Sequence, residues 1–352
     1  MKKLAFLLIA VLLSASGILA FRSNKKKPVA EPDFMKNRNG VAVIMTGAAA
    51  RIPQEAALLE ELDKRGLLEN LVFISGVSSG ALNAVVLNGI LSKKMSWEEY
   101  KQILFALKDS DVFELKGKKI PVDTSPARAL YTKIFEDRLG FKTIGDLPYT
   151  TEISFTHLSD LSLKKTVYRM CSKKINDESD PSLSIVDIAM ASSAFPVVFP
   201  SVKIENVQTI PDVKYVDGGF GEDHVPFQAL LEFEKFRGQG VEKVYIIRRK
   251  SDKIPEVSEE LRGLGIDDKG IFDRLGISID AFLQKDFIKS LKNFRGKAPE
   301  LVPETYVWIP GFSEDFLLFN FENMKEQYRL TSEWAKTNQP VLLNDYLSTF
   351  EN

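Results

Sequence analysis

One cysteine and two histidines are all that 352 residues supply of the side chains that most often hold transition metals. A lone Cys171 excludes an internal disulfide and reads as a buried thiol acting as a small hydrophobe. His157, His224 and Cys171 form no cluster with carboxylates at zinc spacing. Charge of one sign is also lacking. Lys and Arg number 47 against 48 Asp and Glu, a formal net charge of −1, so no overall field draws in a phosphate backbone. Nucleic acid is therefore not an expected partner. No internal repeat or low-complexity tract appears, and the length allows one large folded core.

What the chain does have begins at its N-terminus. Met1-Lys2-Lys3 is a positive start, Leu4 to Leu13 is unbroken and apolar, and Ser14-Ala15-Ser16-Gly17 follows with small residues. That layout is a secretory signal peptide. The alternative is an uncleaved anchor: Leu4 to Phe21 is 18 uncharged residues, roughly 27 Å as a helix against a bilayer core of about 30 Å. Arg22, Lys25, Lys26 and Lys27 follow at once and would suit a membrane surface. Residues 1–20 are read as signal or anchor, 21–39 as a flexible linker and 40–345 as the folded domain. The expected location is outside the cytoplasm: periplasmic, secreted or membrane-associated.

The folded part opens with an alternation. Val41 to Met45 is an apolar run of strand length, and Leu58, Leu59 and Leu62 mark a helical face that Gly66 ends. Leu71 to Ile74 is a second strand, and Ala81 to Leu87 reads as a buried helix. Strand, helix, strand, helix predicts an α/β fold with a mostly parallel sheet covered by helices. Further strands are expected at Thr151 to His157, Thr166 to Met170, Lys214 to Val216, Lys243 to Ile247 and Thr305 to Ile309. Helices are expected at Ile185 to Ser193, Pro226 to Phe236 and Asn323 to Lys336. The charged, glycine-dotted stretch from Lys250 to Pro303 carries no assignment.

Gly76-Val77-Ser78-Ser79-Gly80 fits the G-x-S-x-G nucleophile elbow, with a strand before it and a helix after it. The turn would lift the Ser78 hydroxyl clear of the sheet, and Gly76 and Gly80 would leave room for it. The helix N-terminus would face developing negative charge. Two residues compete to be its base. His224 lies in a loop leading into a helix, in the order a Ser-acid-His triad requires. Asp217 ends a strand and is followed by Gly218 and Gly219, which permit close backbone approach. A turn aspartate before glycines is the plain alternative for Asp217. His157, in an alternating strand, reads as a hydrogen-bonded structural residue.

Three motifs in order set these readings in a family. Gly47-Ala48-Ala49-Ala50-Arg51, Gly76 to Gly80 and Asp217-Gly218-Gly219 resemble the oxyanion loop, nucleophile elbow and D-G-G of the patatin-like phospholipases. Ala191 to Pro200 resembles that family's A-S-x-A-x-P-x-x-F segment, and Leu318 to Phe321 its C-terminal part. The resemblance implies a three-layer α/β/α fold and a Ser78–Asp217 dyad without histidine. It further implies an oxyanion hole from the backbone of Gly47, Ala48 and Ala49, and a lipid ester or phospholipid substrate. No cofactor and no metal are implied.

The loop departs from the family, because Ala48, Ala49 and Ile52 stand where glycines are usual. An alanine forced into left-handed geometry costs roughly 1–2 kcal/mol, whereas losing one oxyanion donor costs about 2.7–4 kcal/mol. A working acyl-hydrolase and a catalytically impaired lipid- or partner-binding protein are both compatible with this loop. Arg51 either supports it or packs at the surface.

Overall fold

Val41–Met45 (β1) is buried at every position, the pattern of a strand inside a parallel sheet with both faces covered. The structure, a computed structural model, describes residues 37–115, 120–158, 165–221, 223–250, 279–316 and 318–351. The chain divides into Met1–Asp33 and Phe34–Asn352. The expected signal or anchor, and the linker up to residue 36, lie outside the described residues.

After β1 come helix α1 (Ile52–Lys64), β2 (Leu71–Val77), α2 (Ser79–Leu91), α3 (Trp97–Ala106), α4 (Ser125–Tyr131), β3 (Thr150–Leu158) and β4 (Lys165–Cys171). Then follow α5 (Ile185–Ser192), β5 (Val202–Lys203), β6 (Lys214–Asp217), α6 (Gln228–Arg237), β7 (Lys243–Ile247) and α7 (Ile279–Lys297). The chain closes with β8 (Thr305–Trp308), α8 (Met324–Thr337), β9 (Val341–Leu342) and α9 (Leu343–Ser348). The sheet order is β5-β6-β3-β2-β1-β7-β8-β9, with β4 on β3. The central run β3-β2-β1-β7-β8 is parallel, and the antiparallel pairings lie toward its edges. This is an α/β fold with a mixed, mostly parallel sheet.

Alternation along β1 divides the core. Ala42 and Ile44 pack with Leu230 and Phe233 of α6 and with Leu291 and Phe294 of α7. Val43 and Met45 face the other way, against Leu58 and Leu62 of α1 and Leu87 of α2. Helices therefore cover both faces, giving three layers. Helices α3, α4, α5 and α8 contribute to a third apolar cluster around Ile153, Phe155 and Ile188.

The strand order also places the site. From β1 the chain runs to β2 and β3 on one side, while β7 joins the other side of β1. The strand order thus reverses beside β1, and crevices form outside the carboxyl ends of strands at such a switch point. Met45 is level with Gly76 on β2 and with Ile247 on β7. The segments following these three strands consequently emerge together. Among the described residues no helix is long and apolar enough to cross a membrane.

Two outcomes differ from the expected elements. β2 runs through Gly76 to Val77, so the strand leads directly into the turn at Ser78. Within the unassigned stretch 250–303, α7 packs Phe287, Leu291 and Phe294 into the core, while residues 251–278 lie outside the described set. His157 packs against Tyr168 and Tyr215, and its buried Nδ1 has no hydrogen-bond partner. Cys171 is buried, and burial pushes its thiol up to about 12.

Phe73 of β2 is fully buried and stacks on Phe233 of α6, ring centroids 4.9 Å apart. Phe73→Ala should lower unfolding free energy by about 3–5 kcal/mol in a denaturant titration. A loss below about 1 kcal/mol would contradict the core assigned to this face.

Candidate active site

Ser78 sits between β2 and α2 with φ 57° and ψ −129°. A left-handed serine is uncommon, and here the surroundings impose it. A methyl group on Gly76 would overlap the Gly80 backbone, and one on Gly80 would lie 2.9 Å from the Met45 and Thr46 carbonyl oxygens. Only bare backbone allows β2 to turn this sharply into α2 against the end of β1. The Ser78 N–H donates to Ser192 Oγ at 2.9 Å, and that hydroxyl donates to the Ser154 carbonyl at 2.7 Å. Ser192 at the end of α5 therefore ties the turn to β3.

Asp217 ends β6, whose partner β3 lies next to β2. Its N–H donates to the Ala194 carbonyl at 3.0 Å. Its Oδ1 accepts the Gly219 N–H at 2.9 Å, and the neighbouring Ser78 hydroxyl also favours its charged form. Ser78 and Asp217, 139 positions apart in sequence, thus line one cleft. Burial disfavours the charged carboxylate more than these two groups favour it, and Asp217 is pushed up to about 6.

The loop after β1 completes the cleft. Gly47 lies so close to Ser78 that an added Cβ would sit 2.9 Å from Ser78 Cβ. The next positions face no such limit, and there the sequence carries alanine. Ala48 takes φ −135°, while Ala49 is left-handed at φ 46°. Of the two alanines expected to be strained, one is. The Ala48 N–H is engaged by Ser79 Oγ at 2.8 Å.

Contacts from the C-terminal segment hold this loop. The Ala50 N–H donates to the Leu318 carbonyl at 2.9 Å, and Gln327 of α8 donates to the Ala50 carbonyl at 3.0 Å. Arg51 is fully buried, its Nε and Nη2 donating to the Phe316 carbonyl at 3.1 and 2.7 Å. The surface alternative for Arg51 is thereby excluded. Sequence reasoning missed Ser79, Ser192 and Gln327 as supports, although Ser79 lies within the elbow and Ser192 within the stretch Ala191 to Pro200.

The cleft encloses about 440 Å³, open solvent included. Gly47, Ala48, Ala49, Ser78, Asp217 and Gly219 line it with Phe195, Phe220 and Leu318. His224 and Arg249 complete the wall, so the alternative base shares the cleft with Asp217. Burial first, then the charges of Arg248 and Arg249, hold the imidazole down at about 3. His224 Nε2 is buried without a hydrogen-bond partner. His157 is not among the residues lining the cleft.

The family model for patatin-like phospholipases matches residues 43–231, more than half of the chain. The chain belongs to the patatin-like phospholipase family. No curated protein sequence matches it. Among solved structures it is similar to human GIVD cytosolic phospholipase A2, at 11% identity and a TM-score of 0.46, covering 89% of this chain and 60% of that one. It is also similar to VipD from Legionella pneumophila, at 12% identity and a TM-score of 0.41, covering 85% and 67%. Full-length ExoU from Pseudomonas aeruginosa, solved in complex with SpcU, shares 16% identity at a TM-score of 0.34, covering 76% and 60%. The chain thus spans about two thirds or less of these proteins' lengths, and likeness at this level speaks to neither activity nor substrate.

Asp217 carries a pH signature of its own. A carboxyl raised from 3.8 to about 6 on folding favours the folded state when protonated. That contribution is complete below about pH 4 and is lost as pH rises through about 6. Asp217→Asn should therefore gain stability relative to the parent protein as pH rises from about 4 to 7, seen as a widening gap between urea midpoints. A gap independent of pH would contradict the buried, raised carboxyl.

Proposed function

We propose that the protein is a serine acyl-hydrolase of lipid esters, of the phospholipase A or lysophospholipase kind, with Ser78 as nucleophile and Asp217 as base. The observation that carries this is a buried carboxyl, raised to about 6, lining the same cleft as Ser78, whose hydroxyl favours its charged form. A carboxylate in water, near 4, is a poor base for an alcohol; desolvation makes Asp217 a better one. His224, at about 3, has the lower proton affinity of the two candidates.

In this reading Ser78 Oγ attacks the ester carbonyl carbon while Asp217 takes the hydroxyl proton. The amides of Gly47 and Ala49 and the N-terminus of α2 are the candidate stabilisers of the oxyanion. As the carbon–oxygen bond to the leaving alcohol breaks, Asp217 returns the proton to that oxygen. An acyl group then remains on Ser78. Water attacks the acyl carbon, Asp217 takes a proton from it, and release of the fatty acid restores the Ser78 hydroxyl. No cofactor enters the cycle.

A second reading, a lipid-binding protein without turnover, draws on one observation. The Ala48 amide is engaged by Ser79 Oγ, leaving the loop one donor fewer. Export, with the N-terminal segment as signal or membrane anchor, remains part of the proposal and places the substrate at a membrane surface.

Purified protein should hydrolyse a p-nitrophenyl ester. Ser78→Ala and Asp217→Asn should each lower kcat/KM by at least about a thousandfold, while His224→Ala should keep more than about a tenth of it. Equal rates for Ser78→Ala and the parent would remove Ser78 as nucleophile. Loss in His224→Ala with Asp217→Asn spared would transfer the base to the histidine. No hydrolysis, with retained binding to lipid vesicles, would favour the second reading.

A further inference from the structure

Ser75 on β2 and Glu152 on β3 are level with each other in the parallel register, and both are fully buried. Ser75 Oγ lies 2.5 Å from Glu152 Oε2 and 2.7 Å from the Pro226 carbonyl oxygen. If Glu152 were ionised, both neighbours would be acceptors, and a serine hydroxyl has a single proton to give. That proton cannot satisfy both at these distances. The bonding closes only when Glu152 carries a proton on Oε2. The acid O–H then donates to Ser75 Oγ, and the Ser75 O–H donates to Pro226. Glu152 Oε1 is buried without a hydrogen-bond partner, which suits the carbonyl oxygen of a neutral acid and not half of a carboxylate.

The charges around Glu152 act the same way. Arg169 on β4 forks onto Asp223, Nε to Oδ2 at 3.2 Å and Nη2 to Oδ1 at 2.9 Å, and its backbone N–H donates to Glu178 Oε2 at 2.7 Å. Glu232 of α6 adds negative charge, and Cys171, the cross-strand partner of Glu152, keeps its thiol protonated. Burial first, then the Asp223 charge, hold the Glu152 carboxyl well above the usual carboxylate range, and Arg169 offsets only part of this. The segment these bonds hold is a wall of the cleft. Asp223, tied to Arg169, and Pro226, tied to Ser75, bracket His224, which lines the cleft. A Cβ added to Gly219 would lie 3.2 Å from Asp217 Oδ1 and 3.8 Å from His224 Nδ1. The imidazole therefore stands beside the glycine whose amide Asp217 accepts.

We propose that Glu152 is a positioning residue of the cleft: as a neutral carboxylic acid it leaves the Ser75 proton to Pro226 and so fixes the His224 wall beside Asp217. Loss of the Glu152 proton to solvent undoes this. The Ser75 hydroxyl turns its proton to the new carboxylate, and the Pro226 carbonyl loses its donor. The wall keeps its tie at Asp223 and loses the one at Pro226. Water then reaches Asp217, and its proton affinity falls toward that of an ordinary carboxylate. The kinetic consequence rests on the acyl-hydrolase reading; the protonation of Glu152 does not.

The test compares the parent protein with Glu152→Gln, which keeps a donor to Ser75 at every pH, and Ser75→Ala, which removes the link. At about pH 7 the infrared spectrum of the parent should hold a carboxylic-acid carbonyl band that is missing from Glu152→Gln and shifted in Ser75→Ala. Spectra of parent and Glu152→Gln without that difference would overturn the proposal. Folding raises this carboxyl, so the parent should lose stability relative to Glu152→Gln as pH rises from about 5 to 8, above the ordinary carboxylate value. A constant gap between the melting midpoints would overturn it too. On a p-nitrophenyl ester, kcat/KM of the parent should fall at least about threefold between about pH 7 and 9, while Glu152→Gln holds its value and Ser75→Ala is already low at about pH 7. The same fall in Glu152→Gln would overturn the positioning role and leave the hydrolase reading intact. If the parent hydrolyses no ester, that reading falls, and amide hydrogen exchange over residues 223–227 decides the role. Exchange about tenfold faster in the parent than in Glu152→Gln at about pH 9 would support it, and equal exchange would overturn it.

Discussion

A carboxylate held away from water is the constraint on which this site depends. The Ser78 hydroxyl and the Gly219 amide both favour the charged form of Asp217, yet burial outweighs both and raises its proton affinity. In the proposed chemistry that same imbalance lets an aspartate do what histidine does in other serine hydrolases. It also requires a rigid frame, because a loosened cleft would admit water and return the carboxyl toward its ordinary value. The parallel register of β1, β2 and β7 supplies the frame by bringing their carboxyl ends level. Ser192, bonded to both Ser78 and Ser154, locks the turn to its neighbour.

The loop after β1 shows how far such a frame tolerates change. Gly47 is held by direct contact with Ser78, whereas Ala49 adopts a left-handed backbone at a cost of roughly 1–2 kcal/mol. Leu318, Gln327 and Arg51 with Phe316 fix the loop from outside, so the strained alanine has no easy alternative. The buried arginine acts here through geometry, clamping a carbonyl far along the chain.

Much of this was legible in the sequence because the relevant signals are local. The all-apolar β1, the glycines around Ser78 and the strand ending at Asp217 each announce their own conformation. The proximity of Ser78 and Asp217 was implied by the family's motif order and not by spacing. Helix α3 was missed although Ser96 and Glu99 form a capping-box pattern, and Ser96 Oγ does accept the Glu99 amide at 3.1 Å. Two-residue edge strands such as β5 and β9 carry no period to detect. The engagement of Ala48 by Ser79, and the placing of His224 between two arginine charges and the cleft, are products of tertiary packing.

The pH dependence of Ser78 labelling by a fluorophosphonate, followed by intact-protein mass spectrometry, tests the central claim most directly. The rate should rise with pH through a midpoint near 6, the value at which buried Asp217 ionises. It should fall to a small residue in Asp217→Asn and keep its midpoint in His224→Asn. Persistence of the same rise in Asp217→Asn, or its loss in His224→Asn, would contradict the assignment of Asp217 as the base.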